Sequence, residues 1–189
     1  LAMALVDHAA TRRLVRRVVE RIDSLEALAA HLGHPRTILC LGNGPSSEDP
    51  ALRDVAYDAL FRVNHLWLDR GLHCEPAVVF TGAADTARRV PGAMLGISHV
   101  RHEARLVLAG LTRPGPRPLR FFTAERLGIL PPRAEWGDAV PTNGADMLAA
   151  AVALRPARLI VAGVDLFRHA AGAYPGDART PNAYTPRHA

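Results

Sequence analysis

Between Arg36 and Asp165, short apolar runs alternate with stretches whose apolar residues recur at helical spacing. Thr37-Ile38-Leu39-Cys40-Leu41 lies between Pro35 and Gly42 and has the profile of a strand buried on both faces. Leu60-Phe61-Arg62-Val63-Asn64 and Ala77-Val78-Val79-Phe80-Thr81 are further strand candidates. Ala93 to Ser98 and Leu119 to Thr123 are weaker ones, and Leu159 to Asp165 is the clearest after the first. Helical stretches fall near 83–90, 100–110 and 144–154. Strands alternating with helices predict a three-layer α/β sandwich on a mostly parallel central sheet. Thr112 to Pro118 (TRPGPRP) and Pro131-Pro132 read as loops, and no internal repeat is visible.

The first part of the chain has a different period. Leu14, Val15, Val18, Ile22, Leu25, Leu28 and Leu32 recur at helical spacing, with Arg13, Arg16, Arg17 and Arg21 on the other side. Two helices are expected over residues 4–32, the second starting at Asp23, which with Glu26 matches a capping pattern. This divides the chain into a helical segment (1–34), an α/β domain (35–175) and a tail (176–189). The arginine face suits peripheral contact with acidic lipid, or simple solvation.

Composition narrows the class. At 189 residues, 49% hydrophobic and 22% charged, the chain has the profile of one soluble globular domain. No run approaches the ~20 apolar residues of a membrane span. The opening LAMALVDHAATRR places charge after a short apolar start, the reverse of a signal peptide, so a cytoplasmic setting is expected. Cys40 and Cys74 have neither metal spacing nor a disulfide framework. An excess of 23 basic over 18 acidic residues suits phosphorylated ligands or an anionic membrane surface. It equally suits a composition rich in Ala, Arg, Gly and Pro, and nucleic acid is not an expected partner.

The segment Gly42-Asn43-Gly44-Pro45-Ser46-Ser47 follows the first strand directly. Glycines there allow a close backbone approach to a ligand, and turn amides can cradle a phosphate or sugar hydroxyl. Ligands of open α/β sheets bind beyond the carboxyl ends of the strands, so the position is right. A P-loop would need a lysine before its Ser/Thr, and none is present. A dinucleotide fingerprint would need Gly or Ala where Ser47 stands, and an acidic residue where the second strand ends in Asn64. Pro45 and Pro50 also disfavour the helix that such a loop opens. A mononucleotide site is the third reading: Asn43 and Asn64 would stand side by side above the sheet, each amide able to donate and accept. Either asparagine alone could equally close a turn.

Three ordered blocks resemble a known family. Ile38 to Ser46 is similar to the first strand and GNGPS loop of the bacterial sialyltransferases of the Campylobacter lipooligosaccharide type (glycosyltransferase family 42). Phe61-Arg62-Val63-Asn64 resembles that family's F-R-x-N strand. Pro141-Thr142-Asn143-Gly144, then Met147 to Leu154 and Leu159 to Phe167, resembles its third block. Order and spacing agree from about residue 36 to residue 175. The resemblance implies a Rossmann-like, GT-A-like fold and transfer of a nonulosonic acid, such as sialic acid, from a CMP donor to a glycan hydroxyl. It implies catalysis without a metal or other cofactor, and the absence of a D-x-D pair is compatible with that. Its setting would be lipopolysaccharide or capsule synthesis at the cytoplasmic face of the inner membrane, and it allows a homo-oligomer.

Carried over by position, Gly42, Asn43, Gly44, Ser46 and Asn64 would hold the cytidine nucleotide. Thr142, Asn143 and Gly144 would form a helix N-terminus near the donor's carboxylate and phosphate, Asn143 replacing a serine. Asp165 matches the family's aspartate, and Tyr174 a tyrosine that bonds the leaving phosphate. His188 would be the general base, with His169 as the fallback. The match departs from the family at Phe167 (a tyrosine there), Val140 (an arginine) and Thr81 (an asparagine). The family also continues beyond the position of His188, so either a longer chain or a different closure of the fold is expected. Two other classes compete: a non-catalytic nucleotide- or sugar-binding module of the same fold, and an NAD-dependent oxidoreductase, which Asn64 argues against.

Overall fold

The computed structural model describes residues 16–69, 72–90, 92–116, 118–131, 135 and 141–165. Its strands are β1 (Val19–Arg21), β2 (Thr37–Leu41), β3 (Ala59–Val63), β4 (Val78–Phe80), β5 (Met94–Ile97), β6 (Leu119–Thr123) and β7 (Arg158–Ala162). Four α-helices are described: α1 (Leu25–His31), α2 (Ala84–Arg89), α3 (Val100–Gly110) and α4 (Asn143–Ala153). The strands form one sheet in the order β1-β6-β5-β4-β3-β2-β7, and every pairing is parallel. The α/β, Rossmann-like architecture expected from the alternation is therefore present.

Both faces of the sheet are covered, which is why its central strands are apolar almost throughout, Arg62 of β3 being the buried exception. Ile38, Cys40, Phe61, Val63, Val78 and Phe80 face Leu28 of α1 and Met147, Ala150 and Ala151 of α4. Val79, Leu95, Ile97, Leu119 and Phe121 face the other way, with Ala87 of α2 and Leu106 and Val107 of α3. Full burial of each such aliphatic or aromatic side chain is worth roughly 1.5–3 kcal/mol. Rings of Phe61, Phe80 and Phe122 run across the first face at centroid distances of 5.6 and 5.8 Å.

The N-terminal part differs from the expected pair of helices. Val19–Arg21 is a strand, in register with β6 at Val19↔Leu119, and Ile22 N donates to Phe121 O at 2.8 Å. The ladder decides this: without β1 the outer edge of β6 would lack partners, and Val19 would lose its place in the core. Glu20 on β1 pairs with Arg120 on β6 at 2.9 Å. Arg21 thus lies on a strand rather than on a helical arginine face, and the sheet begins before residue 35. Helix α1 starts one residue later than expected, with Ser24 Oγ accepting from Ala27 N at 3.0 Å. Residues 1–15 lie outside the described residues.

The arginine of the F-R-x-N strand is structural. Arg62 is fully buried on the α2/α3 face, with its guanidinium 5.6 Å from the Trp67 ring centroid. It donates to Leu72 O at 2.7 Å and His73 O at 3.3 Å, tying down the β3–β4 connection behind Asn64.

The chain steps across the sheet from β2 to β6 and then crosses to β7, on the far side of β2. The strand order reverses between β2 and β7, and open α/β sheets bind ligands above such a reversal.

Candidate functional site

The loops leaving β2 and β7 are bonded to each other. Gly42 N donates to Ala162 O at 2.9 Å, Gly44 N to Gly163 O at 2.8 Å, and Gly163 N to Ser46 Oγ at 2.7 Å. Asp165 completes the latch: its Oδ2 accepts from Ser46 N at 3.1 Å, and its Oδ1 accepts from the Ser46 hydroxyl. A Cβ on Gly42 would overlap the Gly163 carbonyl oxygen, and one on Gly44 would overlap the Asp165 carboxylate. The space these glycines leave is filled by the β7 loop, whereas the sequence pattern suggested room for a ligand. Gly163, at φ +71°, would itself place a Cβ 2.8 Å from the Gly42 backbone. Asp165 therefore braces the loop, with both oxygens committed to Ser46.

Beyond Gly44 the chain makes two short 3-10 turns, Pro45–Glu48 and Pro50–Leu52, instead of an α-helix. Proline at the head of each turn, with Asp49 Oδ1 accepting from Ala51 N at 2.8 Å, sets this local course. A dinucleotide loop holds its pyrophosphate on the helix that follows. Here that support is missing.

Three of the expected polar residues meet at one atom. Asn64 Oδ1 accepts from Thr81 Oγ1 at 3.1 Å and from Asn143 Nδ2 at 3.0 Å. Asn64 has φ +53°, a left-handed conformation that asparagine tolerates better than most residues. Its backbone stays paired: N–H to Phe80 O at 3.0 Å, and C=O from Trp67 Nε1 at 2.9 Å. The β2–β3 register ends at Leu41↔Arg62, so continuing it brings Asn43 beside Asn64. Asn43 is 5% exposed, and its Oδ1 has no hydrogen-bond partner among the described residues. An unpaired buried amide oxygen costs about 1–3 kcal/mol, so its retention calls for a reason.

The head of α4 closes the ring. Thr142 caps it, Oγ1 accepting from Ala145 N at 3.2 Å and the carbonyl from Asp146 N at 3.0 Å. The N–H groups of Asn143 and Gly144 have no partner among the described residues. Val164 joins the helix to the loop: its methyls lie 3.2 Å from a Cβ built on Gly42 and 4.0 Å from one on Gly144.

Two further groups here were not apparent from the sequence. His65 follows Asn64, its Nδ1 2.7 Å from Thr86 Oγ1 and its Nε2 3.6 Å from Asp85 Oδ2. Burial, and then the Arg89 charge, lower its pKa, which favours the neutral imidazole. Asp146, in the first turn of α4, is 1% exposed, and its Oδ2 accepts from the Ser98 hydroxyl at the end of β5. Burial pushes its carboxyl up to about 6, against the lowering effect of that hydrogen bond. A Ser ending a strand candidate and an Asp early in a helix were the only available signals. Neither pointed to the other.

Tyr174, His188, His169, Phe167 and Val140 lie outside the described residues. Among the described residues no His, Cys, Asp and Glu cluster could hold a metal ion, and no helix is long and apolar enough to cross a membrane. Comparison with known family models, with curated proteins and with solved structures gave no match.

Proposed function

We propose that this chain is a glycosyltransferase that takes a nonulosonic acid from a CMP donor and transfers it to a glycan hydroxyl. The observation that carries the proposal is the group of amides beyond the carboxyl ends of β2 and β3, beside the strand-order reversal. Asn64 is locked to Thr81 and Asn143, and the unpaired Asn43 oxygen stands on the adjacent strand end. Carboxamides offer both donors and acceptors, which suits a pyrimidine edge and ribose hydroxyls. The open amides of Asn143 and Gly144 suit the phosphate or carboxylate of such a donor. The three blocks that resemble the sialyltransferases supply the remaining specificity: CMP rather than another mononucleotide, and His188 as the base that takes the acceptor's proton. The missing helix after the glycine loop weighs against a dinucleotide.

Thermal unfolding with CMP, UDP-sugars and NAD tests the nucleotide. CMP is expected to raise Tm, and Asn64→Ala to weaken CMP binding about tenfold or more by releasing Asn143 and Thr81 together. A shift with NAD or a UDP-sugar and none with CMP would overturn the assignment. Transfer from CMP-sialic acid then separates an enzyme from a binding module. His188→Ala is expected to lose about 100-fold or more in turnover while keeping CMP affinity; unchanged turnover would remove His188 from its role.

A further inference from the structure

We infer that an anionic ligand at the head of α4 is bound together with one proton, which Asp146 accepts. This rests on the proposal that the carboxyl ends of the strands receive a phosphate- or carboxylate-bearing ligand. The helix has eleven residues, and its first two N–H groups lack partners among the described residues. Asp146 belongs to the same turn. Its Oδ2 is engaged by Ser98, while its Oδ1 is buried and has no partner among the described residues. A buried carboxylate oxygen with no donor is the state that a proton relieves, because protonation removes the charge that burial penalises.

Among the described residues, the elements packed against α4 offer the carboxylate no counter-charge. The strands beneath α4 face it with Ile38, Cys40, Phe61, Val63, Val78 and Phe80. Among these only Cys40 is ionisable, and burial pushes its thiol up to about 12, so it is neutral. From α1 the facing group is Leu28, again apolar. The Glu103–Arg126 ion pair, and His99 with Glu125 at 3.5 Å, belong to the α3 side of the sheet. On the β7 loop the Asp165 carboxyl is already bonded to Ser46. A second negative charge on the Asn143 and Gly144 amides would therefore meet the Asp146 carboxylate in a poorly screened setting. Taking a proton from solvent at Oδ1 removes that repulsion. Ligand affinity is then highest at low pH and falls as pH rises through the carboxyl's ligand-bound pKa.

The test follows the Asp146 carboxyl by carbon NMR in the full chain, with the signal assigned by its loss in Asp146→Asn. Two probes are used, sulfate and the methyl ester of cytidine 5′-phosphate, whose charges are constant between about pH 5 and pH 8. Either probe is expected to raise the midpoint by about one pH unit. Affinity for the diester should weaken about fivefold from about pH 6 to about pH 8 in the wild type and stay flat in Asp146→Asn. Ser98→Ala, which removes a hydrogen bond to the ionised form, should move the midpoint and the affinity profile to higher pH together. A shift with sulfate but no binding of the diester would uphold the proton linkage and sink the cytidylate proposal. A diester that binds, shown by its Tm shift, without moving the midpoint would overturn the linkage and leave the nucleotide proposal standing. Failure of both probes to bind would overturn both.

Discussion

Gly42→Ala is expected to lower stability by about 3 kcal/mol, among the larger effects open to a single added methyl group. The new Cβ would overlap the Gly163 carbonyl oxygen, a backbone atom that cannot rotate away as a side-chain end can. Relief requires the β7 loop to retreat, which breaks the Gly44–Gly163 and Ser46–Gly163 hydrogen bonds and releases Asp165 from Ser46. Gly82→Ala provides the control, since a Cβ there meets nothing within 4 Å. Urea midpoints of the two variants should therefore separate clearly, with Gly82→Ala close to wild type. Equal midpoints would mean that the two loops are not held in register by backbone contact.

The same latch marks the limit of what the residue pattern could reveal. Strands β2 to β7 were legible as short apolar runs, most clearly β2, which is buried on both faces and bounded by Pro35 and Gly42. β1 was not, because Val18, Val19 and Ile22 fit a helical period and no alternation, and only the open edge of β6 makes a strand of them. In the site, Asn64 and Asn143 could be named from their motifs, yet their bond depends on the crossover that lays α4 over β3. Gly42, Gly44 and Asp165 were expected to serve a ligand. Their work for the neighbouring loop depends on residues far apart in the chain, which local pattern does not encode. Ser98 and Asp146 were missed for the same reason.

Asp146→Asn is expected to stabilise the protein at alkaline pH and to change little in acid. With the folded carboxyl raised to about 6, the native state holds this proton more tightly than the unfolded chain does. The group therefore favours folding below the ordinary carboxyl pKa, and that contribution is lost as pH rises through about 6. A shift of this size corresponds to on the order of 3 kcal/mol when complete. Asparagine keeps the acceptor for Ser98 and carries no charge, so the variant's advantage should be near full at about pH 8 and small at about pH 4. Urea unfolding of both proteins across this range checks it; parallel curves would show that Asp146 ionises without penalty.

The strand order also bears on how the molecule assembles. From β2 to β6, each strand pairs with the next in sequence, so a single local crossover suffices to bring each pair together. The two outermost strands are different: residue 19 must find residue 119, and residue 37 must find residue 158. Closing such long segments costs more chain entropy and slows folding, so these pairings fall late. Because Gly163 and Asp165 arrive only with β7, an intermediate already rich in sheet would still lack its finished binding surface.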